Sequence, residues 1–267
     1  MAELATRQAA FLRKAVPIGS FTQCRLLRTQ ARLGSTYFDL FDEGPEGLVN
    51  GPGDTLGGQV MCAYKSKSLS KAYYNMHLPA APGGEASHGH RGKLIGRVAS
   101  NLKGTAFSIM ERVNIDSWDI PEEQIEWREV CCVLYETNIL GQRGPRKMTI
   151  LLRAVDEHGT AIEPLKESVP LIDRHRAGLD ENLAVLCNRA PKWNPETSSF
   201  ILEFGGRVRE SSVKNFQLVH PEDEDYVVMQ FGRVGPDSFT LDMRFPMTPI
   251  MALGIAITSL DRKLACS

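Results

Sequence analysis

Cationic side chains are the chemistry this chain offers most openly. Between Val60 and Met110 stand Lys65, Lys67, Lys71, Arg91, Lys93, Arg97 and Lys103, against a single acid, Glu85. The next stretch reverses the sign with Glu111, Asp116, Asp119, Glu122, Glu123, Glu126 and Glu129. This asymmetry predicts a basic face able to meet phosphate. Near an anionic membrane each Lys or Arg in such a cluster contributes ~1 kcal/mol. An ordinary sheet edge guarded by lysines has the same composition. Arg143, Arg146 and Lys147 in QRGPRK form a second basic spot, read first as surface loop.

A conventional enzyme site is hard to assemble. G-x-S-x-G, H-E-x-x-H and C-x-x-C patterns are absent. His88 and His90, with His77 nearby, are a candidate metal set, but two of them lie in a Gly-rich loop rather than on the rigid frame a ligand cluster needs. Glu43 to Gly58 is rich in glycine and matches neither a dinucleotide nor a phosphate-loop pattern. Pro221 to Asp225 (PEDED) lacks calcium-loop spacing and reads as a solvated turn. No cofactor or metal is expected. The six cysteines include no C-x-x-C pair and most sit in apolar runs, as buried reduced thiols would. A net charge of −1 argues against a protein that coats nucleic acid generally.

The elements that must carry these cations are strands. Runs at Phe21–Arg28, Thr36–Phe41, Gln59–Tyr64, Ala72–Leu78, Phe107–Met110, Val130–Tyr135, Met148–Val155, Leu183–Cys187, Phe200–Phe204, Val213–His220, Tyr226–Phe231 and Phe239–Phe245 are apolar or alternating and are separated by turn residues. Phe239, Leu241, Met243 and Phe245 alternate with Thr240, Asp242 and Arg244, predicting one core face and one wet face. Ile115 to Glu129 reads as an acidic surface loop. Pro249 to Leu260 is different: it is apolar on every side, so as a helix it must be enclosed by protein or lipid. It has roughly half the ~20 residues a bilayer span needs, so protein is the better enclosure. The prediction is a mainly β fold, a closed antiparallel barrel plugged by its own C-terminal helix. Residues 1–16 read as a short helical segment and 17–267 as one barrel domain. With neither a signal peptide nor an N-x-S/T sequon, the expected setting is intracellular; a mitochondrial transit peptide is a rival that Glu3 speaks against.

Several long blocks in the last third resemble one family. FGGRVRESSVKNFQ (204–217), YVVMQFGRV (226–234) and ALGIAITSLDRKLACS (252–267) are similar to the signature blocks of the Tubby C-terminal domain. IGRVASNLKGTAF (95–107) and YETNILGQRGPRKM (135–148) resemble that family too. The resemblance covers nearly the whole chain. It implies a barrel of about twelve strands around a central hydrophobic helix. It also implies a non-enzymatic adaptor that binds phosphoinositides of the phosphatidylinositol 4,5-bisphosphate type. Such an adaptor would be cytoplasmic and peripheral at the plasma membrane, with roles in membrane-protein or ciliary trafficking or in transcription, so that cilium and nucleus are further expected locations.

The implied lipid site transfers imperfectly. Arg97 keeps the first of two phosphate-contacting cations of the family's G-K-L-R-S-N stretch, while Ala99 replaces the second. The family's asparagine aligns with Tyr73, and its third basic position with Trp127, beside Arg128. The expectation is a weaker, less headgroup-selective site built from Arg97, Arg128, Lys93, Lys103 and Tyr73, with Lys65 and Lys67 as compensating cations. Arg207, Lys214 and Lys263 are expected to hold strand and helix ends. Expected partners are anionic lipid headgroups and a membrane-protein cargo, with the chain itself a monomer. The rivals are a DNA-binding regulator using the same face, a protein-interaction barrel with a decayed lipid site, and a lipid-translocating barrel.

Overall fold

The computed structural model describes residues 2–31, 35–44, 58–66, 73–80, 92–136, 147–162, 169–196 and 199–261. His88, His90, Lys67, Lys71, Arg91, Arg143, Arg146 and Lys263 lie outside them. Helix α1 (Ala2–Leu12) leads into β1 (Thr22–Gln30), β2 (Thr36–Asp42), β3 (Gln59–Ser66), β4 (Tyr73–His77), β5 (Leu94–Ser100), β6 (Ala106–Arg112), β7 (Trp127–Tyr135) and β8 (Met148–Arg153). Helix α2 (Leu171–Arg176), β9 (Leu183–Asn188), β10 (Lys192–Asn194), β11 (Ser199–Ile201), β12 (Phe216–His220), β13 (Asp223–Gly235), β14 (Ser238–Met243) and helix α3 (Pro249–Leu260) follow.

Twelve strands close into one barrel in the order β1-β14-β13-β12-β9-β8-β7-β6-β5-β4-β3-β2, every pair antiparallel. Closure leaves none of those twelve with an open edge. Its lumen is filled by α3, all of whose residues are buried. Thr248 caps the helix by accepting the Met251 N–H at 3.2 Å, and Pro249 supplies the fixed φ suited to the first turn. At the other end the Lys214 ammonium donates to the Ser259 carbonyl at 2.7 Å, a cation where the helix dipole is negative. Asp261, 2% exposed, accepts from the Tyr74 hydroxyl at 2.5 Å and the Lys65 ammonium at 3.2 Å.

Two glycines mark close approaches, Gly254 of the helix to the wall and Gly96 to the neighbouring strand within the wall. A Cβ on Gly254 would stand 2.7–2.9 Å from three Ile109 atoms of β6, and one on Gly96 would stand 2.5 Å from Met76 Cε. Helix α1 packs Ala9 and Leu12 into the same core, and the Val16 N–H donates to the Met247 carbonyl at 2.9 Å.

The structure corrects the sequence reading in five places. Leu94–Ser100, not predicted as a strand, is β5, its alternation blurred by Gly96 and by buried Ile95. The strand expected at Phe200–Phe204 is instead β11, paired only with β10 in a ribbon outside the barrel. Trp127 to Glu129, assigned to the acidic loop, begin β7. Asp223 to Asp225, assigned to a turn, begin β13 and stay exposed. The polar face of β14 is not wet: Thr240 and Asp242 are 1% and 0% exposed. Residues 203–215 cover it, Arg207 reaching Asp242 at 2.7 and 3.0 Å, while Gly232 leaves room for Val208 to lie flat on β13.

Candidate functional site

Of the basic residues singled out from the sequence, Lys93, Arg97, Lys103 and Arg128 lie on or beside β5 to β7, while Lys65 is on β3. Side chains alternate across a strand, and in β5 Gly96 and Val98 face the helix while Arg97 and Ala99 are only half-buried on the outer surface. Pairing then sets their neighbours: Asn75 of β4 and Met110 of β6 flank Arg97, and Tyr73 and Ser108 flank Ala99.

Arg97 is held from three sides. Its Nε donates to Asn75 Oδ1 at 3.1 Å, its guanidinium lies 4.6 Å from the centre of the Trp127 ring, and its Nη2 donates to Glu122 Oε1. A guanidinium stacked on an aromatic face is pre-oriented, so less freedom is lost when it binds an anion. Four residues upstream, Lys93 Nζ pairs with Asp119 Oδ1 at 2.5 Å. The Lys93 ammonium holds the Asp119 carboxyl below the ordinary aspartate range, first by hydrogen bonding and then by charge.

Both carboxylates come from residues 113–126, the acidic connection between β6 and β7, which folds back across the start of β5. Its base is firmly set. Buried Arg112 donates from Nε to the Asn114 carbonyl at 3.2 Å, donates also to the Ser117 carbonyl, and lies 4.8 Å from the Trp118 ring centre. Trp118 Nε1 donates to Thr6 Oγ1 of α1 at 2.9 Å, and Thr6 in turn donates to the Ile115 carbonyl at 3.0 Å. The tips are open: the Asp119 and Glu122 side chains are 90% and 66% exposed. The basic and acidic stretches, read from the sequence as separate regions, are therefore laid against each other. The alternation of charge blocks across two consecutive antiparallel turns was the signal for it.

The remaining candidates do not converge on Arg97. Tyr73 and Ala99 line a neighbouring cavity of ≈ 340 Å³ with Ser108, Cys132, Asp173 and Arg176, of which Arg97 forms no part. Lys103 stands in the exposed turn at the far end of β5. Arg128 is paired in register with Glu111, next to the Met110 that flanks Arg97, and so lies on the opposite side of the strand. There it binds the buried Glu111 carboxylate at 2.6 and 3.0 Å, together with Arg13 at 3.3 Å. Lys65 serves Asp261, and its ammonium lies 5.4 Å from the Tyr74 ring centre. His77 hydrogen-bonds the Gly92 carbonyl through Nδ1 at 3.0 Å and stacks on Tyr64. Among the described residues no group of three or more His, Cys, Asp or Glu is placed to hold a metal. No helix among them is long and apolar enough to cross a membrane.

Comparison with known proteins finds matches along nearly the whole chain. The model of the Tub family matches residues 12–262. Tubby-related protein 2 of Mus musculus is 34% identical over 263 residues, 96% of this chain and 45% of that protein. Tubby protein homolog 1 of Caenorhabditis briggsae is 39% identical over 215 residues, 78% of this chain and 49% of that protein. Protein king tubby of Drosophila pseudoobscura pseudoobscura is 34% identical over 260 residues, 96% of this chain and 54% of that protein. The chain thus spans about half the length of the curated relatives it matches.

Proposed function

This chain belongs to the Tub family, and we propose that it acts as a non-enzymatic adaptor that docks on anionic lipid headgroups, phosphoinositides among them, through Arg97. In this reading it is peripheral at the cytoplasmic face of the plasma membrane and holds a membrane-protein cargo there. The observation that carries the proposal is the posture of Arg97. The guanidinium stands on the outer wall, braced by Trp127 and Asn75, and its outermost nitrogen is engaged only at the tip of an exposed carboxylate. A headgroup phosphate can take the place of that carboxylate without any strand moving. Lys93 beside it supplies a second positive charge.

The test is co-sedimentation with phosphatidylcholine vesicles, plain or doped with phosphatidylserine or a phosphoinositide. Arg97→Ala removes charge-assisted hydrogen bonds of ~1.5–3 kcal/mol, so binding to phosphoinositide vesicles should weaken roughly tenfold to a hundredfold. Equal partitioning of wild type and variant would remove Arg97 from the site. A protein-interaction barrel is the second reading, favoured by Ala99 and Tyr73 at the positions where the resemblance leads one to expect polar phosphate contacts. Failure of the wild type to sediment with any anionic vesicle would select it.

A further inference from the structure

The two carboxylates over the basic strand have a use beyond structure. We infer that Asp119 and Glu122 set the headgroup selectivity of this face, admitting lipids that carry phosphomonoesters and turning away those that carry a single negative charge. The inference rests on the lipid-docking reading above and deepens it.

The argument is one of exchange. In the free protein the Arg97 and Lys93 seats are already occupied by one carboxylate each. A phosphodiester such as that of phosphatidylserine brings one negative charge to a seat that holds one already, so the swap gains little. A phosphomonoester brings a charge near −1.5 to −2 and three acceptor oxygens, and it can outbid a lone carboxylate at a guanidinium fork. The displaced carboxylates need no new partner, because Asp119 and Glu122 are largely in water already. The segment itself stays in place, since Arg112, Trp118 and Asn114 secure its base. Only two side chains have to turn. Lys93 holds the Asp119 carboxyl below the ordinary aspartate range, so that carboxylate stays charged at neutral pH.

Geometry also favours a membrane over a free polyphosphate as the source of the phosphate. Lys93 precedes β5 and Arg97 lies within it beyond a bulge at Ile95, and each is engaged by a separate carboxylate, Asp119 and Glu122. One headgroup at Arg97 leaves Lys93 to a neighbouring lipid, which a soluble ligand does not provide.

The experiment compares wild type, the Asp119→Asn/Glu122→Gln double variant and a charge-matched control, Glu222→Gln/Glu224→Gln. The control removes two exposed acids, Glu222 in the β12–β13 turn and Glu224 at the start of β13, half-way round the barrel from β5. Each protein is titrated with phosphatidylcholine vesicles containing either phosphatidylserine or a phosphatidylinositol bisphosphate, and with the soluble bisphosphate headgroup. The double variant should bind phosphatidylserine vesicles roughly tenfold more tightly, within a range of twofold to thirtyfold set by the weakness of exposed ion pairs. Its affinity for bisphosphate vesicles should rise less, so the ratio between the two lipids falls. An unchanged ratio, or the same fall in the control, overturns the inference while Arg97-dependent binding by the wild type leaves the docking reading standing. No binding to any anionic vesicle by wild type or double variant overturns both. Equal affinity for soluble headgroup and vesicle overturns the assignment to a membrane; much weaker binding of the soluble headgroup supports it.

Discussion

Tyr74 and Asp261 meet inside the wall, the phenol of β4 donating at 2.5 Å to the carboxylate that follows the last turn of the central helix. Burial, then the charge of Asp261, raises the Tyr74 hydroxyl well above its ordinary value, so it remains a donor throughout the neutral range. The contact ties the end of the helix to the strand next to β5, the strand that carries Arg97.

Tyr74→Phe removes a hydrogen bond to a buried charge and should cost ~1.5–3 kcal/mol. The check is the urea midpoint at pH 7. A raised folded pKa means that the tyrosine's contribution is present below about pH 10, its unfolded value, and is lost as pH rises beyond it. The gap between wild type and variant should therefore narrow in strong alkali. An unchanged midpoint at pH 7 would show that Asp261 is satisfied without the Tyr74 hydroxyl.

Arg207 covers a carboxylate that no solvent reaches. Asp242 is 0% exposed and accepts from Arg207 at 2.7 and 3.0 Å and from Gln230 Nε2 at 2.7 Å. Arg207→Ala leaves that buried charge short of its counterion and should cost ~3–5 kcal/mol. Replacing both partners, as in Arg207→Met with Asp242→Leu, should recover most of the loss. Calorimetric melting of the single and double variants decides it; a double variant as unstable as the single one would refute the explanation by unpaired charge.

Gly254 of the helix has no room for a side chain unless Ile109 shifts. Gly254→Ala places a methyl group within 3 Å of Ile109 and should cost ~1–3 kcal/mol, typical of overpacking. Gly254→Ala combined with Ile109→Val should be less destabilised than the sum of the two single changes. Strict additivity would mean that the two sites do not press on one another.

Cys132 carries the alkaline liability of the β7–α2 interface. Burial, and then the charge of Glu129, push its thiol from 9.0 up to about 12. Because the folded value is the higher one, the protonated thiol contributes stability below pH 9, and that contribution drains away between pH 9 and about 12. The melting temperature should fall over that window, and Cys132→Ala should make the fall shallower. Identical slopes would exclude this thiol as a cause.

Architecture was more legible in the sequence than the site. An apolar stretch from Pro249 to Leu260, too short for a bilayer and polar on no face, demanded enclosure, and the strand-like runs upstream supplied the only wall available. The structure puts that helix in the lumen. Elements were misjudged where a second layer changed the pattern. Thr240 and Asp242 look solvent-facing until Arg207 and Val208 are laid over them. β5 looks irregular because Gly96 answers a steric demand from Met76 and Ile250 on other elements. The charges were read correctly as blocks, but what each cation faces is set by strand pairing. Neighbours in the chain such as Met110 and Glu111 turn to opposite sides, which sends Arg128 away from Arg97 and into the Glu111–Arg13 cluster.

Placing the core rod after every strand in chain order has a cost during synthesis. A ribosome releases all twelve staves before the peg they grip, so for the whole of that interval the staves have nothing to close upon. Folding cannot be completed piecemeal from the N-terminal end, and a chain interrupted before Pro249 leaves the apolar lining of its strands open to whatever chaperone or protease is near.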